Sequence, residues 1–111
     1  MNLAEKFRNA WFDYKDNKDL DSLPSLLDDS FEWESLTKTF NNKSIETKTD
    51  TLETLHQINT TTKSEIFYSN ENILVMRVHH LGKNINVILL ISVIFENGKA
   101  IKMLSARGEP A

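Results

Sequence analysis

An α+β fold, with N-terminal helices laid over a largely antiparallel sheet, follows from three features of this 111-residue chain. The stretch Asn72 to Arg107 holds three apolar runs, Ile73–Val78, Val87–Phe95 and Ala100–Leu104. Turn signals at Gly82-Lys83-Asn84 and Asn97-Gly98 separate them, the pattern of consecutive hairpins. The first fifteen residues have a helical period instead. The helical patterns also precede the long strands rather than alternating with them, which separates this class from a parallel α/β sheet. A meander this apolar needs a cover on at least one face, and the helices are the available cover.

In chain order, Leu3, Phe7, Ala10, Trp11 and Tyr14 fall on one face of a 3.6-residue period, so Asn2 to Lys15 is expected to be an amphipathic helix. Asp19 or Asp21 then caps a second, short helix with Pro24 in its first turn and Leu20, Leu23, Leu26 and Leu27 as its buried stripe. Ser30–Ser35 alternates aromatic and polar residues and reads as a strand. Thr37 to Lys48 reads as a loop or edge hairpin. Asp50 with Glu53 three residues on forms a capping-box pattern ahead of Leu52, Leu55 and Ile58, predicting a third helix from about Thr51 to Ile58. Lys63–Ser69 alternates and leads into the meander.

Length, charge and composition narrow the function. A chain of this length is expected to form a single domain, residues 1–111. Its 13 Lys and Arg are scattered among 16 acids, for a net charge of −3, so the clustered cations that nucleic acids or anionic membranes require are missing. Without cysteine there is no disulfide and no thiolate metal site. Met1 leads straight into the charged amphipathic helix rather than into a signal-peptide pattern, and the expected location is cytoplasmic.

The segments DLDSLPSLLDDSFEWES, after an amphipathic first helix, and FENGKAIKMLSARGE, near the chain end, resemble the NTF2-like superfamily, in particular its SnoaL-like and ketosteroid-isomerase-like members. The resemblance spans nearly the whole chain. It implies a cone: a curved antiparallel sheet wrapped around the N-terminal helices, with a pocket between them and a homodimer as the usual assembly.

Strand parity selects the side chains that would see such a pocket. Leu74, Met76, Val78 and His80 share a face with Val87, Leu89, Ile91, Val93 and Phe95, and this more apolar face is expected to meet the helices. On the last strand, a two-residue type I′ turn at Asn97-Gly98 would send Ala100, Lys102, Leu104 and Ala106 inward. A three-residue turn with Gly98 as the bulge residue would send Ile101, Met103, Ser105 and Arg107 inward, and it is preferred because it keeps Lys102 in water. The ligand-lining set is then Trp11, Tyr14, Trp33, Met76, Ile91, Met103 and Arg107. Trp11, Tyr14, Trp33 and Phe40 read as core or pocket wall rather than as a cofactor box.

Catalytic signals are sparse. His79 and His80, adjacent in a strand, point to opposite faces and cannot chelate one ion, and no HxH or HExxH spacing exists, so neither a metal nor a cofactor is expected. Glu32 and Glu34 share a strand face, as paired carboxylates would, but a solvated edge face explains them too. In the ketosteroid-isomerase-like group the proton-moving carboxylate lies six residues beyond the first acid before strand one; counting from Asp28, this implies Glu34. That group's oxyanion donors would fall near Trp11 and near Leu90 or Ile91, which offer no comparable hydroxyl. The SnoaL-type His and Asp pair has only His80 and Glu109 as stand-ins. Arg107 and Glu109 pair across the mouth, or form a weak surface ion pair.

Two function classes follow. One is a protein that binds a small apolar ligand between sheet and helices, with Glu34 and His80 as the acid/base candidates. The other is a non-catalytic dimeric association module. Ile73, Val75, Ile88, Leu90 and Ile94 on the opposite sheet face predict a homodimer in either case.

Overall fold

The computed structural model describes residues 1–17, 19–37, 44–58 and 60–108. Phe40 and Glu109 lie outside the described residues. The elements are α1 (Leu3–Asp16), α2 (Ser22–Leu26), β1 (Leu27–Ser35), β2 (Ile45–Thr47), α3 (Lys48–Gln57), β3 (Thr61–Ser69), β4 (Ile73–Gly82), β5 (Ile85–Glu96) and β6 (Lys99–Gly108). The strands form one six-stranded sheet in the order β2-β1-β6-β5-β4-β3. All neighbours are antiparallel except β1 and β6, which run parallel. A parallel pair needs a long crossover, and here α3 and four strands lie between its two members in the chain.

Local chemistry sets each helix boundary. Asn2 caps α1 by accepting from the Glu5 N–H at 2.9 Å. Ahead of α2, Asp19 accepts from the backbone N–H groups of Asp21 and Ser22 and from the Ser22 hydroxyl at 2.8 Å. The N-cap residue Asp21 makes no such side-chain bond. The capping box of α3 is Thr47 with Asp50, one turn earlier than the Asp50 and Glu53 pattern suggests, so the helix begins at Lys48. Thr47 wins because it ends β2 with extended backbone, the conformation an N-cap needs.

The expected parity of the meander holds. Leu74, Met76, Val78, His80, Val87, Leu89, Ile91, Val93 and Phe95 are all buried. The β5–β6 hairpin combines features of both turns considered for it. Glu96 pairs with Lys99 across a two-residue turn in which Asn97 (φ 53°) and Gly98 (φ 78°) are both left-handed, the signature of type I′. Phe95 pairs with Ala100 and Ile94 with Lys102, leaving Ile101 as an extra residue. The preferred three-residue turn is therefore replaced by a tight turn with a bulge further along β6. Ala100 points inward ahead of the bulge, and Met103 and Ser105 point inward after it. Lys102 stays on the outer face. Further register shifts in β3 between Ile66 and Tyr68, and against β6 in β1 between Leu27 and Glu32, help bend the sheet around the helices.

Candidate functional site

The inward face of the sheet is a ladder of side chains that is apolar along β4 and β5 near the β5–β6 hairpin. It carries polar groups at Glu46 on the β2 edge and, further from the hairpin, at Ser105, Arg107 and His80. The strand registers line up Leu74, Val93, Met103, Trp33 and Glu46 as one row, and Met76, Ile91, Ser105 and Ser35 as the next. Val78, Leu89 and Arg107 follow, and then His80 and Val87. Helix α1 runs along this ladder with the same gradient. Phe7 meets Phe95 edge-on at 5.5 Å between ring centres near the hairpin, and Trp11 meets Trp33 at 5.6 Å one turn on. Past them, Tyr14 hydrogen-bonds His56 of α3 at 3.0 Å, and Lys15 donates to the Thr60 carbonyl at 3.0 Å and to Asp16 at 2.5 Å.

The hairpin end of the interior is an ordinary apolar core, with Phe7, Leu23, Leu27, Phe31, Leu74, Val93 and Ala100 no more than 1% exposed. Among the described residues, six polar residues are more than nine-tenths buried: Lys15, Glu46, Thr51, Thr54, His80 and Ser105. They come from α1, β2, α3, β4 and β6. Burying a polar group is costly unless it is hydrogen-bonded. Trp33 accordingly donates its indole N–H to the Ser105 hydroxyl at 2.7 Å, Thr54 donates its hydroxyl to Glu46, and the Thr60 hydroxyl and His80 Nδ1 are 2.8 Å apart. Burial, with Lys15 and then His79 adding repulsion, lowers the His80 pKa from 6.5 to about 4, so the ring is neutral at pH 7. Burial also raises the Tyr14 pKa, keeping its hydroxyl protonated.

The predicted lining residues Trp11, Tyr14, Trp33, Met76, Ile91 and Met103 are all in the buried interior cluster. Arg107 follows Ser105 on the same strand parity and is half-buried, and its backbone N–H donates to the Thr37 hydroxyl at 2.7 Å. His80 is interior, as parity predicts. Glu34 is not. Adjacent to the inward Trp33, it points to the outer face, where its carboxylate lies 3.0 Å from Lys102 Nζ, with Glu32 3.9 Å from the same ammonium. The pairing of Glu34 with an interior Trp33 in one pocket is thus corrected by the alternation of a strand.

Among the described residues, the interior carboxylate is Glu46, 4% exposed and opposite Trp33 in the β1–β2 pairing. Sequence reasoning missed it because its strand has only three residues and lies in the stretch read as a loop or edge hairpin. The available signal was alternation in Ile45-Glu46-Thr47 just before the capping box. Among the described residues, no three His, Asp or Glu side chains are grouped to hold a metal ion. Two surface clefts, of about 380 Å³ beside Lys6, Asp13 and Ser22 and about 420 Å³ beside Asp28, Glu96 and Lys99, lie apart from the polar part of the ladder.

No family model and no curated protein sequence matches the chain. Solved structures do. An NTF2-like protein of unknown function from Burkholderia xenovorans aligns with a TM-score of 0.75 at 13% identity, covering 98% of this chain and 85% of that one. A candidate isomerase from Rhodopseudomonas palustris aligns at 0.74 and 16% identity, covering 98% and 91%. An LEH-like epoxide hydrolase of M. tuberculosis aligns at 0.66 and 14% identity, covering 96% and 80%. The chain has the NTF2-like fold, an unclosed, curved sheet with the helices on its concave side. No described helix is long and apolar enough to cross a membrane.

Proposed function

We propose that this protein binds a small, mostly apolar molecule between α1, α3 and the inward face of the sheet. The observation that carries this reading is the presence, among the described residues, of six buried polar residues from five different elements in an otherwise apolar interior. A domain stabilised only by its core gains little from burying such groups, because a hydrogen-bonded buried pair roughly replaces bonds already made to water. Few polar groups set in an apolar wall are the usual composition of a ligand site. Trp11, Trp33, Met76, Ile91 and Met103 supply the apolar wall in this reading, and Tyr14, His80, Arg107 and Glu46 the polar contacts. Glu34, on the outer face, takes no part.

The experiment is a titration with the neutral probe N-phenyl-1-naphthylamine, following its emission and the quenching of tryptophan. Saturable binding of one probe per chain, weakened by Ser105→Leu in a variant that remains folded, is the expected result. A featureless, non-saturating response equal in both proteins would contradict it.

A second reading, a homodimeric association module, is favoured by a different observation. The outer face of the sheet exposes Leu90 (54%) and Ile94 (37%), with Ile73, Val75, Ile88 and Leu104 half-buried around them. The Glu34–Lys102 and Glu65–Arg77 pairs flank this patch on either side. An apolar centre with a charged rim is the composition of a protein–protein interface. The two readings use opposite faces of one sheet and are compatible.

A further inference from the structure

The geometry points to Glu46 as the polar anchor of the interior, recognising a ligand that carries a hydrogen-bond donor, and above all an organic ammonium group. This rests on the interior being a ligand site. Glu46 pairs with Trp33 across β1 and β2 and is 4% exposed, so its carboxylate lies on the concave side of the sheet. Glu46 accepts the Thr54 hydroxyl from α3 through its carboxyl oxygen, and a ligand group that donates can be received by the same carboxyl group.

A second observation comes from the helix opposite. Thr51 lies one turn before Thr54 on the same face of α3, is wholly buried, and its hydroxyl has no hydrogen-bond partner among the described residues. Buried hydroxyls without a partner are rare, and one a single turn from a buried carboxylate contact marks a place where a polar group of a ligand can be received. A hydroxyl both donates and accepts, so Thr51 can accept from an ammonium that Glu46 already holds. Trp33, the neighbour of Glu46 in the ladder, adds an aromatic ring of the kind that attracts cations. A ligand carboxylate would instead bring a second acid against Glu46 in a poorly solvated place, which opposes its ionisation and its binding.

The test compares three probes of one shape, 2-phenylethylamine, 2-phenylethanol and phenylacetate, by calorimetric titration of wild type, Glu46→Gln and Glu34→Gln. The amine should bind about tenfold or more tightly than phenylacetate, the margin of a charge-assisted hydrogen bond. Glu46→Gln should remove the amine's advantage over the alcohol, while Glu34→Gln keeps it. Equal or tighter binding of phenylacetate by the wild type overturns the assignment, a result that needs no folded variant. Retention of the amine preference in Glu46→Gln overturns it too. If N-phenyl-1-naphthylamine binds in the interior with no preference among the three probes, this assignment fails and the ligand reading stands; if none of the four binds, both fail.

Discussion

His80 is held neutral by its surroundings, and that ties stability to pH in a definite direction. Its pKa is about 4 in the fold and 6.5 unperturbed. Between these values the unfolded chain binds a proton that the folded chain refuses, so stability is full above about pH 6.5 and falls as the pH drops towards 4. The loss is at most about 3.5 kcal/mol, the full shift converted at about 1.4 kcal/mol per unit. Asp19 and Asp28, whose pKa values are lowered by bonds from Ser22 and Ser30, contribute stability that disappears only at more acid pH. Urea midpoints measured from pH 7 to 4 should therefore fall less in His80→Gln than in the wild type. Parallel curves would mean that His80 is not shielded as described. The two glutamates show why residue roles were only half legible: parity alone sends Glu34 outward once Trp33 is inward, whereas Glu46 needed a three-residue strand to be recognised first.

At the scale of elements, hairpin and helix positions were readable because they rest on local chemistry. Asn97-Gly98 carries its turn wherever the strands lie, and the period of Leu3, Phe7, Trp11 and Tyr14 marks one helix face. The bulge at Ile101 was not readable, because it reconciles an inward Ala100 with an inward Met103 and depends on contacts beyond the strand pair. The parallel β1–β6 pairing was hidden for the same reason. Gly98 has φ +78°, and a methyl group added there would meet no neighbouring atom within 4 Å, so Gly98→Ala carries a purely conformational cost. About 1 kcal/mol of stability should be lost in urea denaturation, since a Cβ is disfavoured at positive φ. An unchanged midpoint would argue against the type I′ geometry.

For the whole molecule, the two faces of the sheet carry the two proposed roles. The outer face should form a two-fold contact, with Leu90 at its centre on a middle strand of the sheet. Sedimentation equilibrium at micromolar concentration should give a dimer for the wild type and a monomer for Leu90→Asp, because a charge would be buried without a partner. A monomeric wild type would remove the association reading and leave the interior reading untouched. The cone itself was legible because an amphipathic helix and an apolar meander have few ways to cover each other. The contents of its interior were not, since they depend on side chains from five elements meeting in space.

The interior reading is tested most directly by the two tryptophan indole N–H signals in a proton–nitrogen correlation spectrum, recorded while N-phenyl-1-naphthylamine is titrated in and assigned with Trp33→Phe. Trp33 donates to Ser105 inside the ladder and packs edge-on against Trp11, so a ligand there must disturb both rings. The prediction is saturable shifts of both indole signals, with the backbone signals of Leu90 and Ile94 on the outer face unmoved. Shifts confined to Leu90, Ile94 and their neighbours, with both indoles unchanged, would contradict it.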